Sequence, residues 1–434
     1  MALVVWMSPV RAEQVRGGAG EHGKEQNQSL VSGVWEVARA DYPWSFPEDH
    51  WAREGYKTEW WYFTGHLESE SGQAFAYQFT FFRVGLLRER PDVASGWGAK
   101  DLIMGHMAIT EMPYRQRGNT PSGEGWGEGE RGRKGEIKSG SAGHPSSSED
   151  WGAEESRGKS KTINQNGDHR FSEVLYRTVP LLGGFGTYPD SVVAWSRGPA
   201  GTDGIWKLRW NGEAFDFMAK DDALGIQLEL STRPEKRLIL QGANGYSRKG
   251  EATSAASQYY SFTRLATQGT VSIDGLTHSV TGQSWMDKEF FTNSMADGQV
   301  GWDWFSLQLN DNREIMIYVL RDGKGSVSYA RGTLIEADGS TRFLEKDAFA
   351  ISETETWLSP TGDAYPSGWT LRVPVASLDV TIHPKSEDQE NRSKLIPTLR
   401  YWEGAVEVLD VEGQEIGVGF IEMTGYGSAT TPAM

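Results

Sequence analysis

One short stretch of this chain gathers acids and indoles: Trp285, Asp287 and Glu289, then Trp302, Asp303 and Trp304. A carboxylic acid in an apolar pocket has its pKa raised by desolvation and can hand a proton to a base as weak as a carbon–carbon double bond. Aromatic faces stabilise the cation that forms. Asp287, Glu289 and Asp303 are therefore the candidate catalytic acids. Trp60, Tyr62, Tyr260, Trp285, Trp302 and Trp304 are the candidate walls of a substrate site. The chemistry such a set can perform is proton donation to a lipophilic molecule. A bland alternative stands beside each acid. Asp303 can pair with an arginine or cap a turn at a rim, and Lys288 and Arg264 can neutralise Asp287 and Glu289 as a surface cluster.

Other chemistries find little footing. There is no cysteine, so thiolate nucleophiles, thiolate metal sites and disulfides are absent. The eight histidines form no His-x-His or His-x-x-x-His pair, which leaves only a meeting of His66 and His106 across strands as a route to a metal site. No Gly-x-Ser-x-Gly elbow sits in a strand-to-helix context and no phosphate-binding Gly-x-x-x-x-Gly-Lys-Ser/Thr occurs. Neither a metal nor an organic cofactor is expected.

The elements that position these residues read as strands. Short alternating or aromatic runs such as Glu59–Leu67, Ala74–Val84, Ile226–Ser231, Trp302–Leu309, Glu314–Leu320 and Tyr401–Leu409 are bounded by Gly, Asn-Gly, Asp-Gly and Pro. The best helix candidate is Lys346–Glu353. Trp60-Trp61-Tyr62-Phe63-Thr64-Gly65-His66-Leu67 lines up with Trp302-Asp303-Trp304-Phe305-Ser306-Leu307-Gln308-Leu309, which predicts two copies of one β-domain. Alternation places Asp303, Phe305, Leu307 and Leu309 on an inward face and Trp302, Trp304, Ser306 and Gln308 on the other. In the first copy Trp60 and Tyr62 share a face, expected near the domain junction because adjacent exposed aromatics make an unusual surface. Burial of both faces accounts for them equally.

A chain of 434 residues exceeds the usual growth of one core, so two domains are expected. The net charge of −16 argues against nucleic acid or anionic membrane surfaces as main partners. Eighteen tryptophans suit both cores and apolar pockets. Residues 1–12 end in Val10-Arg11-Ala12 and read as part of a signal peptide, which implies a periplasmic or secreted protein; a cytoplasmic protein with a frayed N-terminus is the other reading. Residues 13–34 read as a disordered lead-in, 35–254 as a first β-domain carrying a Gly-, Ser- and charge-rich insert over about 115–169, and 255–434 as a second β-domain. No apolar run is long enough to span a membrane, while peripheral membrane association stays open.

Six segments in order resemble one family: Tyr56–Gly65, Tyr259–Leu265, Gly282–Phe290, Gly301–Phe305, Tyr401–Ala405 and Gly417–Gly425. The sequence is similar to the AttH-like family, which includes the carotenoid 1,2-hydratases. The resemblance implies an all-β protein of two tandem lipocalin-like (calycin-type) antiparallel β-barrels packed together, with an apolar pocket inside or between them. It further implies a hydrophobic, isoprenoid or lipid-like small molecule as substrate or ligand, with acid-catalysed addition of water to one of its double bonds as the leading reaction. Members are associated with hydration of isoprenoid chains, fungal relatives with pericyclic ring closure, and many bacterial members carry the label of secreted hydrolase or lipocalin-like protein. A non-catalytic carrier of a lipophilic ligand fits the same fold. This chain departs from the pattern at Lys288, where the family often has His between the two acids, and at Phe290-Phe291, where it often has Trp-Gly.

Overall fold

The computed structural model describes residues 34–92, 98–112, 161–163, 169–199, 202–253, 255–393 and 399–427. The expected signal remnant over 1–12, all but the last residue of the lead-in, and most of the expected insert lie outside the described residues.

Two antiparallel sheets carry the chain. The first contains β1 (Thr58–Ser69), β2 (Ala74–Gly85), β3 (Asp101–Glu111), β4 (Lys161–Ile163), β5 (His169–Val179), β6 (Gly183–Phe185) and β7 (Val192–Arg197). It continues with β8 (Ile205–Trp210), β9 (Phe215–Asp221), β10 (Ile226–Pro234), β11 (Ile239–Leu240), β12 (Tyr246–Arg248), β13 (Ala256–Ile273) and β14 (Leu276–Phe291). The second contains β15 (Gln299–Leu309), β16 (Glu314–Asp322), β17 (Val327–Ile335), β18 (Thr341–Leu344), β19 (Ala350–Leu358), β20 (Ala364–Val373), β21 (Leu378–Pro384), β22 (Glu390–Arg392), β23 (Arg400–Leu409) and β24 (Glu415–Met423).

Both sheets curl into near-barrels by the same device. In the first, the order is β4-β5-β3-β2-β1-β14-β13-β10-β9-β8-β7-β6, and the chain passes from β5 near one edge to β6 at the other through Pro180–Leu182. In the second, the order is β18-β17-β16-β15-β24-β23-β21-β20-β19, and the edge strands β18 and β19 are joined through a 3-10 turn at Lys346–Ala348. That turn and the strand after it replace the expected helix over Lys346–Glu353, because β19 finds pairing partners on β20 that override a local helical preference.

The internal repeat is topological as well as sequential. β1 and β15 each start a meander, and each is flanked by the last strand of its own sheet, β14 and β24 respectively. The change of sheet falls between Phe291 and Gln299, not near residue 254, since β13 and β14 are long strands that complete the first sheet. Residues 161–163 of the expected insert form β4 against β5. One apolar core, with Trp61, Phe63, Phe79, Trp206 and Phe217, fills the first barrel. Another, with Phe305, Leu307, Trp369, Trp402 and Ile421, fills the second. A third cluster, with Tyr62, Tyr259, Trp285, Trp304, Tyr318 and Phe420, joins side chains from both sheets. Both sheets belong to one compact unit that begins at Trp35.

Candidate functional site

Strand alternation builds the site. On β1, Trp61 and Phe63 enter the first barrel's core, so Trp60 and Tyr62 face the second sheet. On β15, Phe305, Leu307 and Leu309 enter the second core, so Trp302 and Trp304 face back. The closing strands then bring acids: Glu289 lies opposite Trp60, Asp287 opposite Tyr62 and Glu422 opposite Trp304. Under the repeat, Tyr62 with Asp287 corresponds to Trp304 with Glu422.

These side chains line a cavity of about 430 Å³ between the two barrels. Its half-buried end holds Trp60, Phe82, Val84, Leu102, Met104, Met295 and Trp302, while Tyr62, Gln78, Tyr259, Asp287, Trp304 and Tyr318 form the buried end. The walls are apolar and aromatic and the polar groups are few, as in small-molecule sites generally.

The acids differ in their surroundings. Asp287 accepts hydrogen bonds from Ser261 Oγ at 2.5 Å, Trp285 Nε1 at 2.7 Å and the Tyr259 hydroxyl at 2.7 Å. Tyr259 in turn accepts one from Trp304 Nε1 at 3.2 Å. Burial still pushes Asp287 up to about 7, against the lowering effect of those three donors and with the Glu289 charge adding to the rise. Glu289 is tied to Lys249 Nζ at 2.8 Å and to Ser257 Oγ. Glu422 accepts one long hydrogen bond, from Trp302 Nε1 at 3.4 Å. Burial pushes it up to about 7, with Glu289 and Asp287 contributing and Trp302 opposing. Behind Tyr62, burial and the Glu422 charge push Glu403 well above the usual carboxylate range, although Arg170 and Tyr62 oppose the shift.

The structure gathers most of the residues expected from sequence and separates others. Asp287, Glu289, Trp60, Tyr62, Trp302 and Trp304 line the cavity. Trp285 stands behind it, bonded to Asp287 and edge-on to Trp304 at 6.1 Å. Asp303 does not join them: it follows the inward face of β15 and is held by Arg321 at 3.2 Å and by the Tyr426 hydroxyl at 3.0 Å. Burial nevertheless raises it to about 6. Tyr260 also points the other way, into the first barrel, where its hydroxyl meets His50 Nδ1 at 2.7 Å; its neighbour Tyr259 takes the cavity position. Neither Lys288 nor Arg264 neutralises Asp287 or Glu289, since Lys288 pairs with Glu59 and Arg264 with Glu314.

Lys288 is turned into the first barrel, its ammonium 3.5 Å above the Trp61 ring. Position 288 thus faces away from the cavity that positions 287 and 289 enter, so a residue there reaches the cavity acids only through the sheet. Sequence reasoning missed Glu422, Tyr259, Lys249 and Tyr318 as lining residues. The signal for Glu422 was present, an acid alternating with Ile421 and Met423 on the strand that closes the second copy. His66 and His106 do not meet: His66 Nε2 bonds Gly419 O at 3.0 Å, while His106 bonds Tyr401 and Ser172. Among the described residues, no cluster of three or more His, Asp or Glu side chains fit to hold a metal ion is found, and none of the described helices is long and apolar enough to cross a membrane.

Two lipocalin-like barrels meeting over an apolar cavity with buried acids define a class of tandem β-barrel proteins. The AttH-like family pattern matches residues 37–126 and 134–426, and the chain belongs to that family. An AttH candidate from Nitrosomonas europaea, known from its crystal structure, is 25% identical over 90% of this chain and 99% of its own, with a TM-score of 0.67. The crystal structure of kievitone hydratase from Nectria haematococca is similar in fold, at 12% identity over 92% of this chain and 96% of its own, with a TM-score of 0.53. No curated protein matches the chain.

Proposed function

We propose that the inter-barrel cavity binds a hydrophobic, isoprenoid or lipid-like molecule and that the protein adds water to one of its double bonds by acid catalysis. The observation that carries this reading is Glu422, a cavity-lining carboxyl raised to about 7 and held by one long hydrogen bond. Burial favours its protonated form, and only Trp302 Nε1 among the described donors points at its oxygens. Asp287 is similarly raised, but three donors already point at its oxygens, so it serves better as the acceptor that fixes Tyr259 and Trp285.

In the reaction, the π electrons of the alkene take the Glu422 proton, forming a C–H bond and leaving a cation on the more substituted carbon. Trp60, Trp302 and Trp304 surround that charge with electron-rich rings. Water attacks the cation to form the C–O bond, and its surplus proton returns to the Glu422 carboxylate, which restores the acid. A fold neighbour that is itself a hydratase by name supports this reaction class over pericyclic or hydrolytic alternatives. Saturation of Asp287 by its donors favours the second reading, a carrier that binds such a molecule unchanged.

Mass spectrometry of copurifying apolar ligands, followed by incubation with isoprenoid alkenes in oxygen-18 water, tests the proposal. Heavy oxygen in the product is expected from the wild type and not from Glu422→Gln. Unchanged ligand with both proteins leaves the carrier. We also propose export, with cleavage after Ala12; cell fractionation tests this, and uncleaved protein in the cytoplasm refutes it.

A further inference from the structure

A cavity shaped for pure hydrocarbon has no use for buried hydroxyls without partners, because leaving a buried donor unbonded is costly. One side chain here breaks that rule. Ser294 is 4% exposed and lines the cavity, and its hydroxyl has no hydrogen-bond partner among the described residues, whereas the Tyr62 hydroxyl is directed to Glu403. Ser294 and Tyr62 mark opposite ends of the cavity. Tyr62 stands at the level of Asp287, and Ser294 lies just beyond the end of β14, where Thr58 pairs with Phe291. Thr58, Trp60 and Tyr62 all line the cavity, so its length along β1 from Thr58 to Tyr62 is about 13 Å at the rise of an extended chain. Trp60, Phe82 and Val84 supply apolar wall over that length.

We propose that Ser294 is a head-group subsite, and that the ligand is an elongated amphipath carrying a neutral oxygen function, a hydroxyl or carbonyl, at the Ser294 end. Its apolar body runs past Trp60 and Phe82, and its unsaturated end reaches Glu422. The head is neutral because Lys249, the one cation among the described lining residues, is already paired with Glu289. The inference rests on the cavity being the ligand site, as argued above, and adds which end of the ligand is polar.

Farnesol and farnesene test it, since they share a carbon skeleton and farnesene has a fourth double bond in place of the hydroxyl. Affinity is read from quenching of tryptophan fluorescence, with Trp60, Trp302 and Trp304 in the cavity as reporters. The wild type is expected to bind farnesol about 3- to 10-fold more tightly than farnesene, Ser294→Ala to lose that preference with farnesene binding unchanged, and Ser294→Thr to keep it. Circular dichroism checks that each variant is folded. Equal affinities in the wild type, or a preference that survives Ser294→Ala, overturn the subsite. Binding of neither compound overturns the subsite and the cavity reading together. A Ser294-dependent preference without turnover upholds the subsite and removes only the hydratase reaction.

Discussion

Consecutive residues on β14 lead into two buried charge sites that follow opposite logic. Lys288 enters the first barrel and joins Glu59, Arg83 and Asp101, where every charge has an opposite neighbour: Arg83 bonds Glu59 and reaches Asp101 at 2.8 Å, and Lys288 bonds Glu59. Burial opposes the Glu59 charge, but Lys288 and Arg83 overcome it and hold the group below the usual carboxylate range. Asp287 and Glu422, on the cavity side, have no cation in contact among the described residues and are pushed up to about 7 by burial. A compensated cluster fixes structure, whereas an uncompensated acid beside open space keeps a proton to give.

Glu422→Gln should produce the largest effect, a fall in turnover of about 10²–10⁴-fold with little change in ligand affinity. Steady-state kinetics and fluorescence titration on one sample check it; unchanged turnover would place the chemistry elsewhere. Lys288→Met should do the reverse. It leaves the Glu59 charge short of a partner inside the barrel and is expected to cost about 3–5 kcal/mol of stability, read by denaturant unfolding. Turnover per folded molecule should hold.

The two sites also respond to pH in opposite senses. Asp287 and Glu422 keep their protons in the folded protein to about 7, above the ordinary carboxylate range, so the folded state binds more protons than the unfolded one between roughly pH 4 and 7. Their contribution to stability is therefore full below that window and is lost as pH rises through it. Glu59, lowered when folded, contributes the other way and loses stability only in acid. The melting temperature of Asp287→Asn/Glu422→Gln should fall less than that of the wild type between pH 5 and pH 8. Parallel curves would show that the two acids titrate normally. Activity should be flat in acid and decline above about 7 as Glu422 ionises.

Smaller effects refine the contrast. Asp303→Asn weakens the tie to Arg321 and should cost about 1–3 kcal/mol while leaving specific activity unchanged, since Asp303 faces the second barrel's interior. Glu289→Gln removes a charge that raises both Asp287 and Glu422, so the alkaline limb of the activity profile should move to lower pH by a fraction of a unit. An alkaline shift would contradict that coupling.

Alternation makes much of this legible in the sequence. It assigned Phe305, Leu307 and Leu309 to a barrel interior and Trp302 and Trp304 to the opposite face, and the same period put Trp60 with Tyr62. The repeat found between β1 and β15 matches equivalent strands. What period alone does not reveal is which closing strand lies alongside. Glu422 reaches Trp304 only because β24 returns to β15, and β13 belongs to the first sheet only because β14 returns to β1. Asp303 lies between the cavity residues Trp302 and Trp304, and Tyr260 follows the cavity residue Tyr259, so each candidate sits one residue out of phase with the cavity. The Phe262 to Leu265 irregularity in β13 pairing is a further shift that local sequence does not announce.

That return of β14 to β1 bears on how the protein is made. Thr58 meets Phe291 across about 230 residues, whereas Asp303 meets Met423 across about 120, so the first barrel carries the greater loop-closure burden. At ordinary ribosomal speed the interval between emergence of β1 and of its partner is about 10–45 s. Throughout it, the Trp61 and Phe63 flank of β1 has an unpaired backbone edge toward the missing strand. Nascent chains stalled before residue 276 should therefore engage trigger-type chaperones, and chains stalled beyond residue 291 should release them.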